Sequence, residues 1–147
     1  MIIKITYCSA ENYCEIEDVF SENRIVRKSF RIIVNGWCNS LGGSIDGNVE
    51  SIKKLLSIRK NVPIFIRLED KFIIFPVGKK NIHARVWINY GAIKIVRKIR
   101  SGVCEIVFFN DEIIIVENDI RTIRTQMSRC KTQLEYIRVQ RQYLEID

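Results

Sequence analysis

Apolar positions fall mostly in short runs bounded by turn residues, and only near the end of the chain do they settle into steps of three and four. Residues 2–7, β-branched and weakly alternating, predict a first strand. Residues 13–20 fit either a strand with acidic outward positions or an irregular loop. Residues 24–34 predict a strand in which Ile25, Phe30, Ile32 and Val34 alternate loosely with Arg24, Arg27, Lys28 and Arg31, ended by a turn at Asn35-Gly36. A glycine-rich loop then covers 38–47. Asn48 suits the N-cap of a helix running to about Arg59, with Val49, Ile52, Leu55 and Leu56 as its buried stripe. Pro63 forbids further helix and opens a strand.

Residues 64–68 and 72–76 predict a hairpin around Glu69-Asp70-Lys71. After a polar loop, strands are expected at 86–89 leading into 92–100, then at 103–109 and 112–116, joined by turns short enough for an antiparallel meander. Asn118 is the expected cap of a final helix. Along it Ile120, Ile123, Met127, Cys130, Leu134 and Ile137 keep a three-and-four spacing that Leu144 continues past Arg141. At 1.5 Å per residue, about 27 residues would span roughly 40 Å, more than a small domain needs. The fold class is therefore α+β: an antiparallel sheet or partial barrel, one short helix and a long C-terminal helix. The expected division is a β-rich unit over 1–118, its helix near 48–59, and a C-terminal helix over 119–147 used for packing or dimerisation. Met127, Leu134, Ile137 and Leu144 are the candidate oligomerisation residues.

Charge sharpens this picture by its distribution. The chain carries a net +7, yet residues 1–22 sum to −4, residues 23–100 to +13 and residues 101–147 to −2. So basic a middle segment attracts polyanions. The 47% hydrophobic and 28% charged content is that of a folded domain. No apolar run approaches the roughly 20 residues of a membrane helix, and the start is too short and too quickly polar for a signal peptide. The five cysteines, an odd number with no Cys-x-x-Cys pair, and the single His83 give neither a disulfide framework nor a zinc site. Free thiols in a reducing cytoplasm are expected, with no membrane partner, no cofactor and no metal.

Enzyme chemistry finds little to work with. His83 sits among Lys79, Lys80 and Arg85 with no acid–base partner nearby in sequence, Cys38 lacks an evident activating base, and the carboxylates are scattered. The loop 42–47 has the glycines and the following helix that favour phosphate approach, but not the Gly-Lys-Ser/Thr ending of a nucleotide-binding loop. The bases group in four places: Arg24/Arg27/Lys28/Arg31, Lys53/Lys54/Arg59/Lys60, Lys79/Lys80/Arg85 and Lys94/Arg97/Lys98/Arg100. Residue patterns alone define a polyanion binder without a helix-turn-helix, zinc-finger or RNA-recognition signature.

Spaced motifs narrow this further. Cys38 is followed by Gly42-Gly43-Ser44 and then Gly47-Asn48-Val49. A proline-led apolar strand, Val62-Pro63-Ile64-Phe65-Ile66, precedes Ile73-Ile74-Phe75-Pro76-Val77. Trp87-Ile88, the paired strands and the Asn118 helix start come after. In order and spacing, residues 38–137 resemble the ComK family of bacterial competence transcription factors. The family's Arg-Lys after the glycine is Asn48-Val49 here, the Thr and Ser of its Phe-Pro loop are Val77 and Lys79, and a cysteine two residues before the tryptophan is Arg85. The resemblance implies a cytoplasmic activator, without enzymatic activity, that binds A/T-rich double-stranded DNA as a homo-oligomer, largely through the minor groove, where narrow A/T tracts attract Arg and Lys.

On this reading the unit over 1–118 is the DNA-binding one, with Lys79, Lys80 and Arg85 as the expected groove contacts and Gly43, Ser44, Lys53 and Lys54 as the phosphate-side contacts. Lys94, Arg97 and Lys98 form a competing placement on their strand. The alternative is a protein–protein interaction module that uses the C-terminal helix and has no nucleic-acid ligand. An RNA-binding or nuclease-like protein, which would prefer single strands, is a further rival.

Overall fold

A strand order of β3-β2-β1-β6-β5-β4 makes the main sheet, and a second sheet runs β7-β8-β9. In chain order the elements are β1 (Ile2–Cys8), β2 (Tyr13–Asp18), β3 (Arg24–Val26), α1 (Phe30–Asn39), α2 (Ile45–Leu56), β4 (Ile64–Arg67), β5 (Phe72–Val77), β6 (Ala84–Asn89), β7 (Ile93–Arg100), β8 (Val103–Phe108), β9 (Ile113–Val116) and α3 (Ile120–Ile146). These come from a computed structural model that describes residues 1–19, 21–79 and 83–146. Every strand pairing is antiparallel. The α+β class, the antiparallel sheets and the long final helix match the sequence reading.

The main sheet is the middle layer of three. All six residues of β5 are buried, as a continuous apolar run requires when both faces are covered. Alternate residues still go to opposite faces. Phe72 and Ile74 join Val34, Cys38 and Ile45 of the two short helices, while Ile73, Phe75 and Val77 pack toward the second sheet and α3. In β1, Ile3 and Ile5 are two apart and both buried, yet they enter different cores. A register shift between Ile2 and Lys4 rephases the strand between them. Pro76 lies opposite Trp87, beyond the start of β4, where its missing N–H interrupts no β4 ladder.

Three expectations are corrected. The strand expected over 24–34 is only Arg24–Val26, and residues 30–39 form α1, so the described residues hold two short α-helices and not one. Ser29 caps α1, its hydroxyl accepting from the Ile32 N–H at 3.3 Å. Phe30, Ile33, Val34, Trp37 and Cys38 lie at helical spacing, and Ile32, one of the apolar positions of the expected strand, is 60% exposed. Asn35-Gly36 is thus mid-helix and makes no turn. Asn48 is not the cap of α2. Ser44 is, three residues earlier, accepting from the Gly47 N–H at 3.0 Å, and α2 ends at Leu56 because Ser57 turns left-handed with φ +53°. Asn118 likewise does not cap α3. Its side-chain oxygen accepts from the Gly78 N–H at 2.6 Å, and the Asp119 carbonyl receives the first helical N–H groups.

The strands at 84–89 and 93–100, read as consecutive, belong to different sheets. A single 3₁₀ turn, Tyr90–Ala92, carries the chain between them. At its centre Gly91 passes so close to the β4–β5 turn that a Cβ there would meet the Lys71 carbonyl oxygen at 2.7 Å. On α3, Ile120, Ile123, Cys130 and Leu134 are buried in the chain's own core with Met127 packed beside them, while Val139, Tyr143 and Leu144 stand exposed. No described helix is long and apolar enough to cross a membrane.

Candidate nucleic-acid interface

The two short helices, the loop after α2 and the end of the main sheet enclose an open groove of about 460 Å³. On α2 its wall is the stripe Asp46, Val49, Glu50 and Lys53, one helical face. This face lies beside the buried one marked by Ile52. Strand β6 contributes Arg85 and Trp87, two residues apart and so on the same side of the sheet. The Trp87 indole stacks on Phe30 of α1, centroids 4.7 Å apart and planes inclined by 24°. Pro76 lines the groove beside them.

Four cations meet around this aromatic floor: Arg31 of α1, Lys53 of α2, Arg59 of the following loop and Arg85 of β6. Two carboxylates share it. Asp46 pairs with Arg31 and Glu50 lies 3.4 Å from Lys53. Both pairs are largely exposed and hold each other only weakly, so the carboxylates mask the cations little. Arg85 donates from Nη2 to the Asn61 side-chain oxygen at 3.0 Å. Among the described residues neither Arg59 nor Arg85 has a carboxylate in ion-pair range.

The residues expected from the sequence part company. Lys53 and Arg85 line the groove, and Lys54, on the next face of α2, does not. Lys79 is 81% exposed, 3.9 Å from Glu117, beside a separate small cavity with Val116 and Lys4. Lys80 lies outside the described residues. Gly43 and Ser44 are less available to phosphate than the loop's composition implied. The Gly43 N–H donates to the Cys38 carbonyl at 2.9 Å, and the Ser44 hydroxyl is occupied as the α2 cap. Lys94, Arg97 and Lys98 sit on β7 in the other sheet, where Lys94 reaches Asp111 at 3.1 Å and Arg97 reaches Glu105 at 3.4 Å. Three of the four basic groups therefore contribute to one groove and the fourth does not. Arg31, Arg59, Phe30 and Trp87 also line the groove, although the sequence reading did not place them among the expected contacts. The helical spacing through Trp37 and Cys38 was the available signal for Arg31.

Cys38 is buried against Asn48, whose Nδ2 also donates to the Phe65 carbonyl at 2.7 Å. Burial pushes its thiol up from the ordinary range, the opposite of what a nucleophile requires.

The sequence model of the ComK protein matches residues 1–142. The chain belongs to the ComK family. ComK proteins are competence transcription factors, a family of regulators and not of enzymes. No curated protein and no solved structure matches the chain. The ComK match extends the likeness seen over 38–137 back to residue 1 and on to residue 142. Two residues that carried that likeness, Pro76 and Trp87, stand opposite one another in the sheet and form part of the groove floor.

Proposed function

We propose that the chain is a sequence-preferring, DNA-binding transcriptional activator that works in the cytoplasm and takes A/T-rich duplex DNA at the groove between α1, α2 and β6. The observation that carries this reading is the meeting of Arg31, Lys53, Arg59 and Arg85, from four separate elements, around one concave aromatic floor. Positive charge focused in a cleft strengthens attraction to a polyphosphate backbone. Narrow A/T minor grooves concentrate the potential that draws in Arg and Lys. Lys53 and Arg85 are retained from the sequence reading as contacts. Homo-oligomeric assembly would multiply half-site contacts, and the exposed Val139, Tyr143 and Leu144 of α3 supply apolar surface for it.

A fluorescence-anisotropy titration of the full chain against A/T-rich duplex, G/C-rich duplex and single strands, at low and moderate salt, tests this. Tighter A/T-duplex binding that weakens steeply with salt and yields to a minor-groove-binding competitor is expected. Absence of duplex binding at low salt would leave the α3 interaction module as the reading, and preference for single strands would favour an RNA-type ligand.

A further inference from the structure

On the far side of the loop 57–61 lies a second concavity, of about 380 Å³, between that loop and the first half of α3. Lys60 of the loop and Arg121 and Arg129 of α3 line it, with the hydroxyls of Thr122 and Thr125 between them. Among the described residues, no carboxylate lines it. Arg121, Thr125 and Arg129 are spaced by four and share one helical stripe, so the two guanidinium-bearing positions are about 12 Å apart along the axis. Residues 120–134 carry four bases and no acid. Like charges on one helical stretch repel each other, and a polyanion relieves that repulsion.

The loop between the two concavities is held from both sides. The Asn61 side chain accepts from Arg85 in the first groove at 3.0 Å, and the Asn61 carbonyl accepts from the buried Gln126 Nε2 of α3 at 2.7 Å. Gln126 also orients Arg129, whose Nη1 donates to its Oε1 at 3.2 Å. Ser57 and Asn61, both left-handed with φ of +53° and +51°, bracket a sharp and pinned turn. Arg59 faces the first groove, Lys60 the second, and Asn61 lines both.

We infer that the loop 57–61 is the element presented to a groove of the DNA duplex, and that α3, through Arg121 and Arg129, supplies a second row of phosphate contacts opposite the one at Arg31, Lys53 and Arg85. This rests on the proposed DNA-binding reading. A lone phosphate needs one convergent cluster. Two basic walls on either side of a pinned, cationic loop suit two backbones flanking a groove. Gln126 is a positioning residue, acting through Asn61 and Arg129.

The test is the salt dependence of binding to an A/T-rich duplex, measured by anisotropy on the full chain, with folding monitored by circular dichroism. Removing one cation that neutralises a phosphate flattens the log–log slope by about 0.9. Arg121→Gln with Arg129→Gln is expected to flatten it by about 1.8. The equally charge-reducing pair Arg124→Gln with Lys131→Gln, on the same helix but outside the concavity, is expected to leave the slope at the wild-type value. Arg121→Lys with Arg129→Lys, which keeps the charge, should retain most of the slope and guards against loss of fold. Equal flattening by both glutamine pairs, or none by either, overturns the α3 contact while leaving duplex binding itself intact. A wild-type chain that does not bind duplex overturns the underlying DNA-binding reading, and this inference with it.

Discussion

Arg85 donates to the side chain of Asn61 at 3.0 Å, tying the middle of the main sheet to the end of the loop that follows α2. The bond joins two residues whose backbones do different things. Arg85 lies in a regular strand, and Asn61 holds a left-handed φ of +51°.

Asn61 separates conformation from contact. Asn61→Gly keeps the left-handed backbone available and removes the acceptor for Arg85, so duplex affinity should fall several-fold with little change in thermal midpoint. Asn61→Val places a β-branched residue in that conformation and should cost about 1–2 kcal/mol by urea denaturation. Equal stability of the two variants would contradict the left-handed assignment.

Gly91 is where the chain crosses from one sheet to the other. Gly91→Ala drives a Cβ against the carbonyls of the β4–β5 turn, and overpacking of this kind costs about 1–3 kcal/mol. Chemical denaturation should show that loss, while DNA affinity per folded molecule stays at the wild-type level.

The pH profile of stability should fall at both ends. Burial pushes the thiols of Cys38 and Cys104 up, that of Cys14 to about 11, and that of Cys130 furthest. The unfolded chain ionises its thiols near 8.5. Stability is therefore full below that pH and declines as pH rises from it toward the raised folded values. At the acid end, the two-pronged hydrogen bonds from Arg67 hold Asp70 below the ordinary carboxylate range. That contribution is present above about pH 4 and is lost as pH falls through the lowered value. Urea midpoints at pH 3, 7 and 10 check both signs. In the native state Cys14, Cys38, Cys104 and Cys130 should resist a thiol reagent that labels all five cysteines in denaturant.

The far end of α3 separates assembly from folding. Met127 and Leu134 belong to the chain's own core, whereas Tyr143 and Leu144 are 68% and 76% exposed. Tyr143→Ser with Leu144→Ser should leave the denaturation midpoint unchanged and shift sedimentation toward the smallest species. Met127→Ser should instead lower the midpoint. If the exposed pair can be changed without altering sedimentation, assembly uses another surface.

Much of the strand pattern could be read from local sequence because hairpin partners lie close together. The β4–β5 hairpin and the β7-β8-β9 meander follow from short turns between apolar runs. The window 30–34 misled because Phe30, Ile32 and Val34 satisfy a strand while Phe30, Ile33, Val34 and Trp37 satisfy a helix, and only the longer window separates the two. Charge misled differently. Summed over 101–147, the acids of the strands and the chain end hid the purely basic stretch 120–134. The groove was legible in part. Lys53 and Arg85 came from the basic groups, but their meeting with Arg31 depends on α1 and on a strand pairing that no local pattern specifies.

That pairing sets β1 against β6, with Lys4 opposite Ile88. Strand β1 thus lies inside the sheet between β2 and β6, yet its β6 partner follows only after β2 to β5 and both short helices have been made. Until then β1 offers a bare hydrogen-bonding edge, which any other extended chain can occupy. Contacts so distant in sequence also slow closure. The strand bearing Arg85 and Trp87 joins β1 to β5, so the groove is complete only once this long-range pairing has formed, and until then self-association through the bare edge competes with maturation.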